Sequence, residues 1–281
     1  QNPMLKGPLM SRDYADHFRI GGVKLTFDGS PQGKTAWFTH PYFQPPEHED
    51  ANYSGHPLFA DEAEARRIMK QAYDHDWQVL VHANGDAAID QLIRLTDAVQ
   101  QDIPDTRDPR TVLIHGQYLR ADQIPELVRL GIFPSLYPMH TFYWGDWHSS
   151  SVAGPELAKF ISPTGTLHRA GIKFSIHSDA PVTFPNAMRI LHSATNRVTR
   201  SGVILGPEER LDALTALKAM TIWPAYQHFE ENSKGSIEKG KVADLVVLSQ
   251  NPITLPREQL LELKVMETIK DGESVYRADA L

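Results

Sequence analysis

Residues 77–99 read WQVLVHANGDAAIDQLIRLTDAV, and this stretch decides the fold class. Its first seven residues are apolar and β-rich, closing on a single imidazole, as in a strand covered on both faces. After the polar break NGD at 84–86, the apolar residues Ile89, Leu92, Ile93 and Leu95 recur at helical spacing over 87–99. A strand followed by a helix of ten or more residues leads to a parallel neighbour through a crossover. The alternation continues outward in both directions. Extended runs occupy 18–27, 111–116, 132–137 and 173–177. Between them lie helical patterns at 61–76, with Ala65, Ile68, Met69 and Ala72 on one face, and at 121–130, with Ile124, Leu127, Val128 and Leu130. Repeated βα units predict an α/β protein with a partial (β/α) barrel of the TIM type.

Beyond Pro181 the pattern changes. Residues 187–199 and 208–220 read as helices, the second introduced by Gly206 and Pro207. Strand-like runs at 242–248 and 265–269, a hairpin signal at Asp271 and Gly272, and a returning run at 274–276 predict a small β appendage. We therefore expect a barrel portion over 1–233 and a β-sandwich portion over 234–281.

Composition narrows the function. With 281 residues, 41% hydrophobic and 22% charged, the chain has an ordinary globular make-up, which excludes disordered and collagen-like classes. A net charge of -7 gives no electrostatic case for nucleic acid or an anionic membrane surface as partner. The absence of cysteine excludes a disulfide scaffold, a thiolate zinc site and a Cys nucleophile. Apolar runs fall far short of the ~20 residues of a membrane span, and no charged, apolar leader pattern is visible; a cytoplasmic location is the expectation. Because the chain opens on Gln1 rather than Met, removal of something upstream is expected.

The polar residues that bear chemistry stand at strand ends, which in a parallel barrel form the catalytic face. His82 ends the run 77–83, His115 ends 111–116, and Ser178 and Asp179 follow 173–177, while Lys24 lies inside the first run. Neutral imidazoles suit a borderline cation such as Zn²⁺, and carboxylates complete open catalytic sites. Each residue also has a plainer reading. A strand-end His is often a satisfied core residue, an Asp there caps the next helix, as expected of Asp86 for 87–99, and a Lys can snorkel to the surface. Their coincidence at successive strand ends favours a site.

The segments 21–30 (GGVKLTFDGS), 82–86 (HANGD), 114–117 (IHGQ), 178–182 (SDAPV) and 235–248 (GSIEKGKVADLVVL) together resemble the amidohydrolase superfamily, most nearly its family 3, the YtcJ-like metal-dependent hydrolases. The resemblance implies hydrolysis of a C–N bond in a small-molecule amide or cyclic amide, with a divalent metal, zinc, as cofactor. It implies that Lys24 is N-carboxylated and bridges two metals, that His82 and His115 hold the second metal, and that Asp179 holds the first and acts as general base. Burial of Lys24 would favour the neutral amine that a carbamate needs; an uncarboxylated Lys24 paired with Asp28 is the alternative. The segment 138–151 (PMHTFYWGDWHSSS) reads as an aromatic lid loop, with Tyr137, His140 and Trp144 as substrate contacts, or as a loop pinned by packing. His17, His40, His48, His56 and His75 are read as bystanders.

Three departures from the family pattern matter. Ile114 and Gly116 flank His115 where the family has Glu and Ala, His177 stands where a small residue is usual, and no HxH pair occurs anywhere. Counting forward from the Lys24 strand gives barrel strands four to eight only, so the expectation is a C-terminal portion with an incomplete first metal site and impaired catalysis. The runs at 242–248 and 265–269 would then need partners in another chain or a different packing, and open sheet edges favour a homo-oligomer. Against the hydrolase stand a non-catalytic binding or assembly module, and phosphoester hydrolysis or deamination on the same fold; Lys24 argues against single-metal deamination.

Overall fold

The structure is a computed structural model that describes residues 13–103 and 108–279; Gln1 lies outside the described residues. Four strands, β1 (Gly22–Thr26), β2 (Gln78–Ala83), β3 (Val112–His115) and β4 (Phe133–Leu136), form a sheet in that order, and a further strand is β5 (Ser175–Ile176). The helices are α1 (Glu62–Asp74), α2 (Asp86–Gln100), α3 (Ile124–Arg129), α4 (Met139–Trp147), α5 (Gly154–Ala158), α6 (Thr164–Arg169), α7 (Ala187–Asn196), α8 (Ala213–Met220) and α9 (Ile222–Gln227). This is the α/β architecture that the strand–helix alternation predicts. Two compact units divide the described residues, one within Gln1–Leu136 and Trp147–Ser162, the other within Tyr137–Asp146 and Pro163–Leu281.

In the first unit β1 to β4 run parallel in strict register, with Thr26 opposite His82, His82 opposite Ile114, and Ile114 opposite Ser135. The core is built from Phe27, Phe38, Met69, Val79, Leu92 and Leu113, all essentially inaccessible. Helix α1 starts where the Asp61 carboxylate accepts from the Ala63 and Glu64 amides, and it buries Ala65, Met69, Ala72 and Tyr73. Helix α2 starts differently from expectation. Gly85, not Asp86, is its cap, because the backbone approaches Trp37 so closely that a Cβ at Gly85 would sit 1.9 Å from the Trp37 carbonyl oxygen. Asp86 is buried and spent on other partners: it accepts from the Thr39 amide at 2.9 Å, from the Thr39 hydroxyl, and from Arg120 at 2.9 Å. On α3, Ile124 and Leu127 are buried as predicted, whereas Val128 is exposed.

The second unit holds the helices that follow α5, most of α4, and a three-stranded antiparallel sheet of β6 (Leu245–Leu248), β7 (Val265–Lys270) and β8 (Glu273–Arg277). Asp271 and Gly272 both have positive φ, 53° and 83°, as the predicted tight hairpin requires. The strands at 242–248 and 265–269 are not orphans: β6 pairs with β7 and β7 with β8. Two further expectations are corrected. The segment 138–151 is not a loop, since α4 continues into a π-helical turn at His148–Val152. The helix expected over 208–220 is broken into a 3-10 turn at Pro207–Glu209 and α8, whose cap Asp212 accepts from the Thr215 amide and hydroxyl. Among the described residues no helix is long and apolar enough to cross a membrane.

Candidate metal centre

The strand ends of the first unit gather a carboxylate, an amide and two imidazoles. Asp28, two residues past β1, is fully buried. Its Oδ1 accepts from the Asn84 amide at 2.9 Å, and its Oδ2 from the Gly85 amide at 2.7 Å and the Trp37 amide at 2.9 Å. Burial pushes this carboxyl up to about 7, against the lowering effect of the three backbone N–H groups, with the Asp86 charge adding to the rise. The loop 84–86 is thereby tied to the end of β1, and His82 is tied with it. The His82 Nε2 lies 3.1 Å from the Gly29 carbonyl oxygen, 3.0 Å from the Asn84 Nδ2 and 3.6 Å from the Asp28 Oδ1. Asn84 also donates to the Gly29 carbonyl at 2.9 Å, and its buried Oδ1 has no hydrogen-bond partner among the described residues.

The other nitrogen of His82 faces His115. Its Nδ1 is 3.0 Å from the His115 Nε2, and the rings meet edge to face with centroids 4.6 Å apart. Strand alternation alone would not bring this about. Ile114 is the register partner of His82, so on regular extended backbone His115 would point to the opposite face. The backbone at His115 is left-handed instead, with φ 76°, and Gly116 follows at φ 51°. That turn ends β3 and swings the imidazole toward His82. A non-glycine residue in this region costs energy and is concentrated at functional sites. It also accounts for Gly116 where the family has Ala, since glycine adopts positive φ without penalty.

Lys24 departs from expectation. It lies on β1, which among the described residues has a strand neighbour on one side only, and its side chain is exposed, so the burial that would favour a neutral amine is not present here. Nor is Lys24 paired with Asp28, whose oxygens receive the three backbone amides described above.

The second unit contains the remaining predicted residues. Asp179, three residues beyond β5, also has a left-handed backbone, φ 54°. The Thr183 hydroxyl, which donates to the Ser178 carbonyl, accepts from the Tyr137 hydroxyl at 2.7 Å. The Tyr137 ring stacks on His177 at 5.2 Å and meets the edge of His140 at 4.7 Å, and His140 lies against Trp144 at 4.9 Å. Tyr137, His140 and Trp144 are thus one aromatic cluster, which His177 extends. Burial raises the Tyr137 hydroxyl far above its ordinary range, and the Asp179 charge adds to the rise, so it remains a proton donor. The pairing of Asp28 with the 84–86 loop and the reversed backbone at His115 were not foreseen. HANGD and FDGS carry the relevant residues, yet nothing in their spacing announces those contacts.

The donor set suits a divalent cation. A His82 tautomer whose Nε2–H donates to the Gly29 carbonyl leaves Nδ1 unprotonated, the arrangement by which metal-binding histidines are oriented through their second nitrogen. Two imidazole ligands of one tetrahedral zinc at bonds of ~2.0–2.1 Å stand about 3.3 Å apart, close to the spacing of the His82 and His115 nitrogens.

Comparison with known proteins places the chain among relatives. The family model described as "Amidohydrolase family" (Amidohydro_3) matches residues 7–276. The chain is 28% identical over 218 residues to the N-substituted formamide deformylase of Arthrobacter pascens, covering 78% of this chain and 40% of that protein. It is 29% identical over 264 residues to the putative amidohydrolase YtcJ of Bacillus subtilis, covering 92% and 48%. Among solved structures, an uncharacterized metal-dependent hydrolase from Pyrococcus furiosus superposes with a TM-score of 0.73 at 25% identity, over 87% of this chain and 47% of that one. Its counterpart from Pyrococcus horikoshii, at TM-score 0.74, 23% identity and coverages of 89% and 48%, shows the same fold. The chain spans less than half the length of these curated relatives.

Proposed function

The chain belongs to the amidohydrolase family, and from that membership we propose that it carries part of the active site of a metal-dependent hydrolase that cleaves the C–N bond of a small-molecule amide. The observation that carries this reading is the His82–His115 nitrogen pair with the Gly29 carbonyl behind it. In this reading His82 and His115 would hold one divalent ion, zinc; the family resemblance assigns Asp179 to the other metal, and the exposure of Lys24 lends no support to its carboxylation. A bound divalent ion lowers the pKa of water toward ~7 and polarises the scissile carbonyl.

The residues of the chain supply the rest. Asp179 takes the proton of the attacking water and passes it to the leaving amine, so that one carboxylate serves as base and then as acid. The Gly29 carbonyl, accepting from Nε2, holds the His82 ring in the tautomer that leaves Nδ1 open. Tyr137, with its hydroxyl held protonated by burial and donating to Thr183, braces the Ser178 backbone next to Asp179 through the Thr183 hydroxyl. His140 and Trp144 provide an apolar wall that limits water near the reacting carbonyl.

Metal analysis with and without hydrolysis assays tests the proposal. The purified chain is expected to retain about one zinc per molecule after gel filtration, and replacing either His82 or His115 by Ala is expected to abolish that retention. Zinc content unchanged in both variants would overturn it.

A further inference from the structure

Two arginines of the second unit are arranged in a way that catalysis does not account for. Arg189, on α7, places its guanidinium 4.1 Å from the centre of the Phe142 ring on α4. Arg200 comes to 5.8 Å from the same ring and 5.1 Å from Tyr143. Neither forms an ion pair among the described residues, although this acidic chain pairs most of its exposed arginines: Arg66 with Asp102, Arg94 with Glu62, Arg129 with Asp97 and Glu126, and Arg277 with Glu267. The carboxylate of Asp146, also on α4, accepts from the Ser201 amide at 3.1 Å and hydroxyl at 2.6 Å. Two like charges on one aromatic platform repel each other, and a cation–π contact at an exposed site returns only ~0.5–1 kcal/mol. The positive field is felt nearby: His192, one turn along α7, is held below its ordinary range by burial first and by Arg189 second.

The platform is continuous with the aromatic cluster. Phe142 lies 5.1 Å from Tyr143, Tyr143 lies 5.6 Å from Trp144, and Trp144 leads through His140 to Tyr137 and His177, two residues before Asp179. Each guanidinium carbon stands over a ring, and neither group forms an ion pair among the described residues, so its N–H donors are available to a planar acceptor such as a carboxylate.

We propose that Arg189 and Arg200 bind a carboxylate carried by the substrate at the end distal to the scissile amide, with an apolar or aryl body lying along the α4 rings between them. This rests on the amide-hydrolase reading and names its substrate class.

The test compares N-benzoylglycine with its neutral analogue N-benzoylglycinamide by equilibrium binding at fixed ionic strength, to the 281-residue chain and to its R189Q and R200Q variants. Expected is a tenfold or greater preference for the acid, lost in either variant while the circular dichroism spectrum is unchanged. Equal affinity for acid and amide, equal affinity in the variants, or no binding of either probe would overturn the proposal. Inorganic phosphate displacing N-benzoylglycine at equal concentration would replace the carboxylate assignment with a general anion site. The same titration with H82A separates the two readings. Acid-selective binding that persists in H82A, in a protein that retains no zinc and cleaves no amide, leaves the arginine site standing while the hydrolase reading falls.

Discussion

His82 on β2 and His115 at the end of β3 meet nitrogen to nitrogen at 3.0 Å, although register places Ala83, not His82, opposite His115. The contact exists because the His115 backbone is left-handed, and its orientation is set from the far side, where the Gly29 carbonyl receives the second nitrogen of His82. At this distance one ring donates to the other, and a divalent ion that displaced that proton would meet both nitrogens; strained backbone of this kind is concentrated at functional sites.

If the Gly29 carbonyl, to which Asn84 also donates, orients His82, disturbing that arrangement weakens metal retention without removing a ligand. Replacing Asn84 by Ala is expected to lower zinc affinity ~10–100-fold, the range for outer partners of metal ligands, in a competition titration with a chelator. An affinity equal to that of the parent chain would remove Asn84 from this role.

Asp28 is a structural clasp as well as a neighbour of the site. Asp28→Ala leaves the Trp37, Asn84 and Gly85 amides without their acceptor, and the loss is expected to be about 3 kcal/mol or more, at 1–3 kcal/mol per stranded buried group. Urea unfolding measures it. A loss below about 1 kcal/mol would mean that water or a relaxed backbone replaces the carboxylate.

His148 gives a pH signature. It is fully buried, receives the Tyr118 hydroxyl at 2.6 Å on Nδ1, and burial pushes it down to about 3. A base whose folded pKa is depressed stabilises the fold above its unfolded value of 6.5, and that contribution is lost as pH falls from 6.5 toward 3. The slope is at most about 1.4 kcal/mol per pH unit. His148→Asn keeps an acceptor and removes the titration, so its stability is expected to fall less steeply over this window. Parallel slopes for the two proteins would contradict the neutral, buried assignment.

Asp179 combines a role in proton transfer with a backbone that most residues disfavour. Asn tolerates φ 54° as well as Asp does, whereas Ala costs about 1–2 kcal/mol there. Asp179→Asn is therefore expected to unfold at the urea concentration of the parent and Asp179→Ala at a lower one. Both are expected to lose amide hydrolysis by about 10²–10⁴-fold. Hydrolysis that survives in the Asn variant would remove Asp179 from the reaction.

The residue pattern carried much of this. Near-continuous apolar runs and period-3.6 stretches located β1 to β4, α1 and α2, because strands covered on both faces need apolar residues on each, and helices packed on one face must repeat theirs at that period. His82, His115 and Asp179 stood out because they interrupt or end such runs. The pattern failed where local sequence is ambiguous. In 138–151 the aromatic density reads equally well as loop or buried helix, and it is helical. In 208–220 the break between Glu209 and Asp212 depends on Glu209 being drawn to Thr164 and Thr166, a contact some forty residues away.

From sequence alone came the α/β class, the strand order in outline, the acidic and thiol-free character, and the identity of the imidazoles and the carboxylate at the strand ends; all of these follow from which side chains prefer apolar surroundings and at what period they recur. Tertiary structure alone decided that His115 turns toward His82, that Asp28 clasps the 84–86 loop, that Lys24 on β1 is exposed, and that Arg189 and Arg200 share a ring. Those outcomes depend on backbone dihedrals and on neighbours brought close by folding, neither of which is written in the order of the residues.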